Sequence, residues 1–279
     1  EAVMTPTPPD TPNYAALDPA IDPRIAFAKW LTAKENPFFA RALVNRIWSE
    51  MFGKGLVDPV DDFRESNPPV NAPLLEWLAR DFAENGFDQK HTLRVILNSH
   101  LYQQSSEPNE YNAGDNRNFS RSYRRRLQGE VLLDAISLLT GQAEKLSGLP
   151  MDGRAMQQWN HLLPSTFLDA FGRPDSSAAP PCEREIGGSV AQALHLMNSD
   201  NLQKKLSGKS LWLDELTATP QEKAVQNIYL RLFSREPDDN EKKVTLTHLL
   251  GEADATKRRV LLEDLVWSLL NSAEFVLNH

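Results

Sequence analysis

The stretch ARALVNRIWSEM, residues 40–51, decides the fold class. Its apolar side chains Ala40, Leu43, Val44, Ile47, Trp48 and Met51 recur at i, i+3, i+4, i+7, i+8 and i+11, which places them on one face of a helix. A strand would scatter the same residues over both faces. Gly53 and Gly55 follow at once and offer the left-handed positions that end helices. Working outward, a helix is expected from about Pro73 to Asn85, burying Leu74, Leu75, Leu78 and Phe82 and stopping at Gly86. Asp88 then caps a third helix whose Leu93, Ile96, Leu97, His100 and Leu101 share a face, with His100 expected as a satisfied core residue. Toward the N-terminus the helical pattern begins at Arg24. Residues 1–23 carry repeated proline and almost no apolar period, and read as an extended linker excised from a longer chain.

The remainder extends the pattern. A fourth helix is expected from about Ser120 to Thr140, ending at Gly141, followed by a long irregular connection, 141–187, holding short helices such as one at FLDAF. Ser189 with Gln192 reads as a capping box opening a helix whose Val190, Ala193, Leu194 and Met197 face inward. Thr219, Pro220 and Glu222 read as cap, N1 and N3 of the next, which buries Val225, Ile228, Tyr229 and Leu232. Two more helices are expected, about Asp239 to Leu250 and Lys257 to Asn271, the last burying Leu262, Leu265, Val266 and Leu269. No segment alternates as a strand between hairpin turns. The expected architecture is all-α, a single irregular bundle of about eight main helices over residues 24–279.

Composition narrows the function. With 30 Lys and Arg against 38 Asp and Glu, the formal net charge of −8 argues against broad capture of nucleic acid, which needs a basic field. The run of Arg121, Arg124, Arg125 and Arg126 around Tyr123 points in several directions on a helix and makes no single patch. Cys182 stands alone, so an intrachain disulfide, a CxxC pair and a covalent haem motif are excluded. The six histidines show no HExxH spacing, and neither a metal nor a cofactor is expected. No apolar run approaches the roughly 18 residues of a membrane span.

Two polar groups stand out. Arg126, Glu130 and Asp134 lie four residues apart on the expected fourth helix, a row in which a guanidinium holds one carboxylate ionised while repulsion raises the other, as general acid–base work requires. Leu127, Val131 and Leu138 beside Asp134 predict partial burial, with Arg125, Arg126 or Arg184 as its ionic partner. The commoner role of such a row is an ion-pair ladder fixing helix packing. Arg41 with Asn45, and Arg46 with Glu50, form i,i+4 pairs flanking the first core helix, and together with Arg125, Arg184 and Gln192 offer forks and amides for an anionic or sugar-like ligand. Structural networks carry the same pattern. Cys182 beside Arg184 is a further candidate, as an activated thiol.

Seven segments appear in a fixed order from Arg24 to Phe275: WLTAKENPFFARALVNRIWSEMFGKGLVDPVDDF, LLEWLARDFAENGFDQKHTLRVILNSHLYQQSS, YRRRLQGEVLLDAI, FLDAFGRPDSS with PCER, SVAQALHLMNS, YLRLFSREP and LLNSAEF. In that order the chain resembles the domain-of-unknown-function family 1553, the C-terminal module of large planctomycete-type surface or secreted proteins. The resemblance implies an extracytoplasmic home, an upstream partner domain, and in some members a cytochrome c-like or lectin-like domain. The family's CECER segment has Pro180 at its first cysteine position here, leaving only Cys182. The leading expectation is a non-catalytic interaction or scaffold module docking on the upstream domains of its parent protein. The alternatives are a carbohydrate-active hydrolase or lyase using Glu130, Asp134 and Arg126 on a polysaccharide, and a docking partner for a cytochrome domain.

Overall fold

The computed structural model describes residues 22–158, 163–173, 188–208, 210–249 and 254–278. The expected linker up to residue 21, Cys182 and Arg184 lie outside the described residues. The described chain is all-α apart from two strands of two residues each. The expected single bundle is divided, however: the chain forms two compact units, up to Tyr123 and from Arg124, each with its own cluster of buried apolar side chains. Helical periodicity says which residues are buried. It carries no information on which core they join.

The first unit comprises α1 (Pro23–Leu31), α2 (Pro37–Phe52), α3 (Ala72–Glu84) and α4 (Gln89–Leu97). Helix α2 starts where Asn36 accepts hydrogen bonds from the N–H groups of Phe38 (2.8 Å) and Phe39 (3.2 Å), with Pro37 at N1, and ends on Gly53 at φ 78°. Ala40, Val44, Trp48 and Phe52 are buried from its stripe, while Leu43, Ile47 and Met51 are partly buried against the same core. The opposing surface is Leu75, Leu78, Ala79 and Phe82 of α3. Trp48 stacks on Phe52 at 4.2 Å between ring centres.

Two local expectations change here. Gly55 is required for space and not for a left-handed turn, because a Cβ there would lie 2.1 Å from the Val57 carbonyl and 2.9 Å from Asn45 Nδ2. Helix α4 stops at Leu97, which is exposed together with His100, and turns Thr92 and Ile96 inward instead. His100 is therefore not a core histidine.

The second unit pairs β1 (Arg125–Arg126) antiparallel with β2 (Leu277–Asn278). Between them run α5 (Gly129–Thr140), a 3-10 turn (Ala155–Gln157), α6 (Thr166–Ala170), α7 (Val190–Asn198), α8 (Asp200–Ser207), α9 (Leu211–Ala218), α10 (Gln221–Phe233), α11 (Asp239–Leu249), α12 (Ala255–Leu270) and α13 (Ala273–Val276). Its core gathers Leu132, Leu133 and Ile136 of α5, Leu213 and Leu216 of α9, Val225 and Ile228 of α10, and Leu262, Val266 and Leu270 of α12. The short helices expected in the connection after Gly141 are present as the 3-10 turn and α6. Helices α8 and α9 were not anticipated, since eight residues with two or three inward side chains give no sustained period.

The fourth helix begins at Gly129 and not near Ser120. The preceding amides are committed elsewhere: Ser120 N–H to Asp115, Ser122 N–H to the Ser105 carbonyl, Leu127 N–H to the Val276 carbonyl. Phe119 has φ 56°, which no helix accommodates. At α10 the expected cap also shifts. Pro220 occupies the N-cap, and the Thr219 hydroxyl donates backward to the Glu215 carbonyl (2.8 Å) at the end of α9.

Candidate functional site

The later start of α5 dismantles the row of Arg126, Glu130 and Asp134. Arg126 sits on β1, off the helix, and its Nη1 donates to the side-chain oxygen of Gln192. Gln192, 2% exposed, is itself locked: its oxygen accepts the Ser189 N–H (3.3 Å) while its own N–H donates to the Ser189 hydroxyl (3.2 Å), the reciprocal box expected from the sequence. Gly188 leaves room for this pairing, since a Cβ there would come within 3.1 Å of Arg126 Nη2. Asp134 accepts the N–H groups of Ala155 (2.6 Å) and Met156 (3.2 Å). It acts as the anionic cap of the 3-10 turn, and among the described residues, which do not include Arg184, it pairs with no arginine. Glu130 and Arg125, both half-buried, also have partners of their own.

The second group separates as well. Asn45 is fully buried and spends its whole amide on the following loop: Nδ2 donates to the carbonyls of Val57 (2.9 Å) and Val60 (2.8 Å), and Oδ1 accepts the Val57 N–H (3.0 Å). Arg46 pairs with Asp61 at 2.7 Å. Arg41 lines a groove between α2 and α3, where its Nε and Nη2 fork onto Glu76 at 2.7 Å each. The sequence reading missed the α3 side of that groove. Its signal was Glu76, Arg80 and Glu84, one turn apart beside the small Ala79 and Ala83.

The largest departure lies on α7. Val190, Leu194 and Met197, expected to face the core, are exposed at 76%, 51% and 46%, and Ala193 is exposed with them. The helix turns Gln192 and Leu196 inward, with His195 half-buried against the rings of Phe167 and Phe171. Burial among these rings lowers the His195 pKa, favouring the neutral imidazole. Helix α7 carries no Asp, Glu, Lys or Arg, so nothing charged screens the outward stripe on the helix itself.

A third polar centre went unnoticed in the sequence. Arg235 forks onto Glu241 (2.8 Å to each oxygen) and onto Glu274 (2.7 Å to each), with its guanidinium over the rings of Tyr229 and Phe233. The hydrogen bonds that Arg235 donates lower the Glu241 pKa, the acceptance of those bonds by Glu241 and Glu274 raises that of Arg235, and burial pushes the Tyr229 hydroxyl up to about 12. The cluster locks α10, α11 and α13 together. Among the described residues no group of three or more His, Cys, Asp or Glu is placed to hold a metal ion, and no helix is long and apolar enough to cross a membrane.

A pattern joins these contacts. Arg126 to Gln192, His195 to Phe167 and Phe171, Arg235 to Glu274, and Arg41 to Glu76 each link one of the seven sequence segments to another. The molecule is thus an all-α module of two units whose distinctive polar groups fasten its own segments. The chain belongs to the family described as PSD1, protein of unknown function (DUF1553), whose profile matches residues 23–249. No curated protein and no solved structure matches it.

Proposed function

We propose that this chain is a non-catalytic helical interaction module that docks on the upstream domains of its parent protein through the outward face of α7. The observation that carries the proposal is the stripe of Val190, Leu194 and Met197, which has the spacing of a core face yet is exposed. Each such side chain, once fully covered, contributes about 1.5–3 kcal/mol, so a partner helix laid along α7 has a ready driving force. The polar groups support the same reading. Asp134 is spent on two backbone amides and Gln192 on its own capping box, whereas glycoside cleavage needs two carboxyl groups facing one another across a substrate. An extracytoplasmic location is part of the proposal and rests on the family resemblance.

The test is co-expression of the upstream region of the parent protein, in trans, with the 279-residue chain. Co-purification that is lost in Leu194→Asp, with the melting temperature of that variant unchanged, is the expected outcome. Absence of association with the wild-type chain, or association indifferent to Leu194→Asp, removes α7 as the docking face.

A further inference from the structure

The groove between α2 and α3 has a volume of about 410 Å3, within the range of about 300–1,000 Å3 typical of small-molecule sites. Its floor is Ala40, Ala79 and Ala83, all buried, so an aliphatic body can approach both helix backbones closely. Its walls are charged and unevenly paired. Arg41 forks onto Glu76 with both contacts at 2.7 Å. That fork has a consequence for Arg80, because Glu76, one turn toward the N-terminus, is its favoured helical partner and is already taken. Glu84, one turn beyond, stands in the less favoured orientation. Among the described residues the side chains of Arg80 and Glu84 make no hydrogen bond or ion pair, and neither do those of Lys34 and Glu35 on the opposite rim. The groove therefore presents free cations and free carboxylates along the same walls.

A ligand that satisfies this arrangement carries both charges on a small aliphatic body. Arg80 and Glu84 are separated by one helical turn, a rise of about 6 Å, while an extended peptide advances about 3.3–3.6 Å per residue. Two or three residues with free termini match that repeat of the wall. We infer that the α2–α3 groove binds short zwitterionic peptides with small side chains, the carboxylate on Arg80 and Lys34 and the ammonium on Glu84 and Glu35. The inference is independent of the α7 docking face, which lies in the other unit.

Isothermal titration of the full chain with trialanine tests it. Saturable binding is expected with a dissociation constant on the order of 1 mM, as suits exposed charges. Trialanine acetylated and amidated at its ends, and acetate, are expected not to bind measurably. Arg80→Gln and Glu84→Gln, both on the surface, are each expected to weaken trialanine about fivefold, with unchanged melting curves, while Lys257→Gln on α12 leaves affinity intact. Equal binding of the capped peptide, equal binding of acetate, or affinity indifferent to both groove variants overturns the inference, as does the absence of saturation at about 10 mM peptide.

Discussion

Helices α2 and α7 carry apolar stripes of the same spacing and meet opposite fates. On α2, Ala40, Val44 and Trp48 are at most 6% exposed beneath α3, whereas on α7, Val190, Leu194 and Met197 are at least 46% exposed. Spacing shows that side chains share a face. Whether the chain itself supplies a cover is a separate question, answered on α2 by the Leu75, Leu78 and Phe82 face of α3. On α7 the inward positions went to Gln192 and Leu196, because Gln192 closes the Ser189 box and receives Arg126. A satisfied polar group outranked the larger apolar residues for the buried side of the helix.

The same substitution placed on each stripe gives the sharpest contrast. Val44→Asp puts an unpaired carboxylate at a position with no exposure, and is expected to cost about 4 kcal/mol or more, enough to unfold the first unit. Leu194→Asp is expected to stay within about 0.5 kcal/mol, as surface changes do. Urea unfolding followed by circular dichroism measures both. Comparable losses would mean that α7 is covered within the chain and would end the docking proposal.

Next in size is the pair Asn45→Ala and Asp134→Ala, two residues that the sequence nominates for ligand or catalytic work and that the fold spends on backbone. Asn45 is fully buried and makes three hydrogen bonds, so its loss leaves two carbonyls and an N–H unsatisfied, at about 2–4 kcal/mol. Asp134 is half-buried and caps a turn near the surface, and its loss is expected to cost about 1 kcal/mol. The two melting curves order the sites. A larger loss at Asp134 would mark the 3-10 turn as a keystone of the second unit.

These sites show what the sequence could and could not convey. Core membership was legible where a stripe was long, as in α2, α3, α10 and α12, because many residues vote for one face. It failed on nine-residue α7, where one buried hydrogen bond decided the rotation. The Arg126, Glu130 and Asp134 row failed for a different reason. Helical spacing presumes helix, and the amides before Gly129 had been claimed by Asp115, Ser105 and Val276, two of them distant in sequence. The Arg235 cluster was invisible because Glu274 lies 39 residues away and no local rule pairs them. Arg41 was found as a polar flank of α2, but the groove it enters depends on α3, whose Ala79 and Ala83 look like ordinary helix formers.

Arg235 ranks third. Arg235→Lys keeps the charge but loses both forks onto Glu241 and Glu274, and because the side chain is partly exposed the expected cost is about 1–2 kcal/mol. A matching Arg41→Lys, which loses one fork onto Glu76 at a similarly exposed site, is expected to cost about 0.5 kcal/mol. Chemical denaturation compares the two. An equal cost would show that the second carboxylate and the Tyr229 and Phe233 rings add nothing at Arg235.

The smallest effects are those of acid, and they again set one unit against the other. In the first, Asp115 accepts the Ser120 hydroxyl and the N–H groups of Asn118, Arg117 and Ser120, which hold its carboxyl far below the ordinary 3.8. In the second, hydrogen bonds from Arg235 hold Glu241 below the ordinary 4.5, although burial opposes them. A carboxyl whose folded pKa is depressed lends its stability in full above the unfolded value and surrenders it as pH falls toward the folded one. The stability gap between wild type and Asp115→Asn is therefore expected to be level from neutral pH down to the ordinary aspartate value, and to close only below it. The gap to Glu241→Gln begins to close earlier, below the ordinary glutamate value, because its unfolded form takes up a proton first. Denaturant titrations at successive pH values read both gaps. A gap that widens in acid at either site would mean that the carboxyl is protonated more readily in the folded unit than in the open chain, against the donors seen around it.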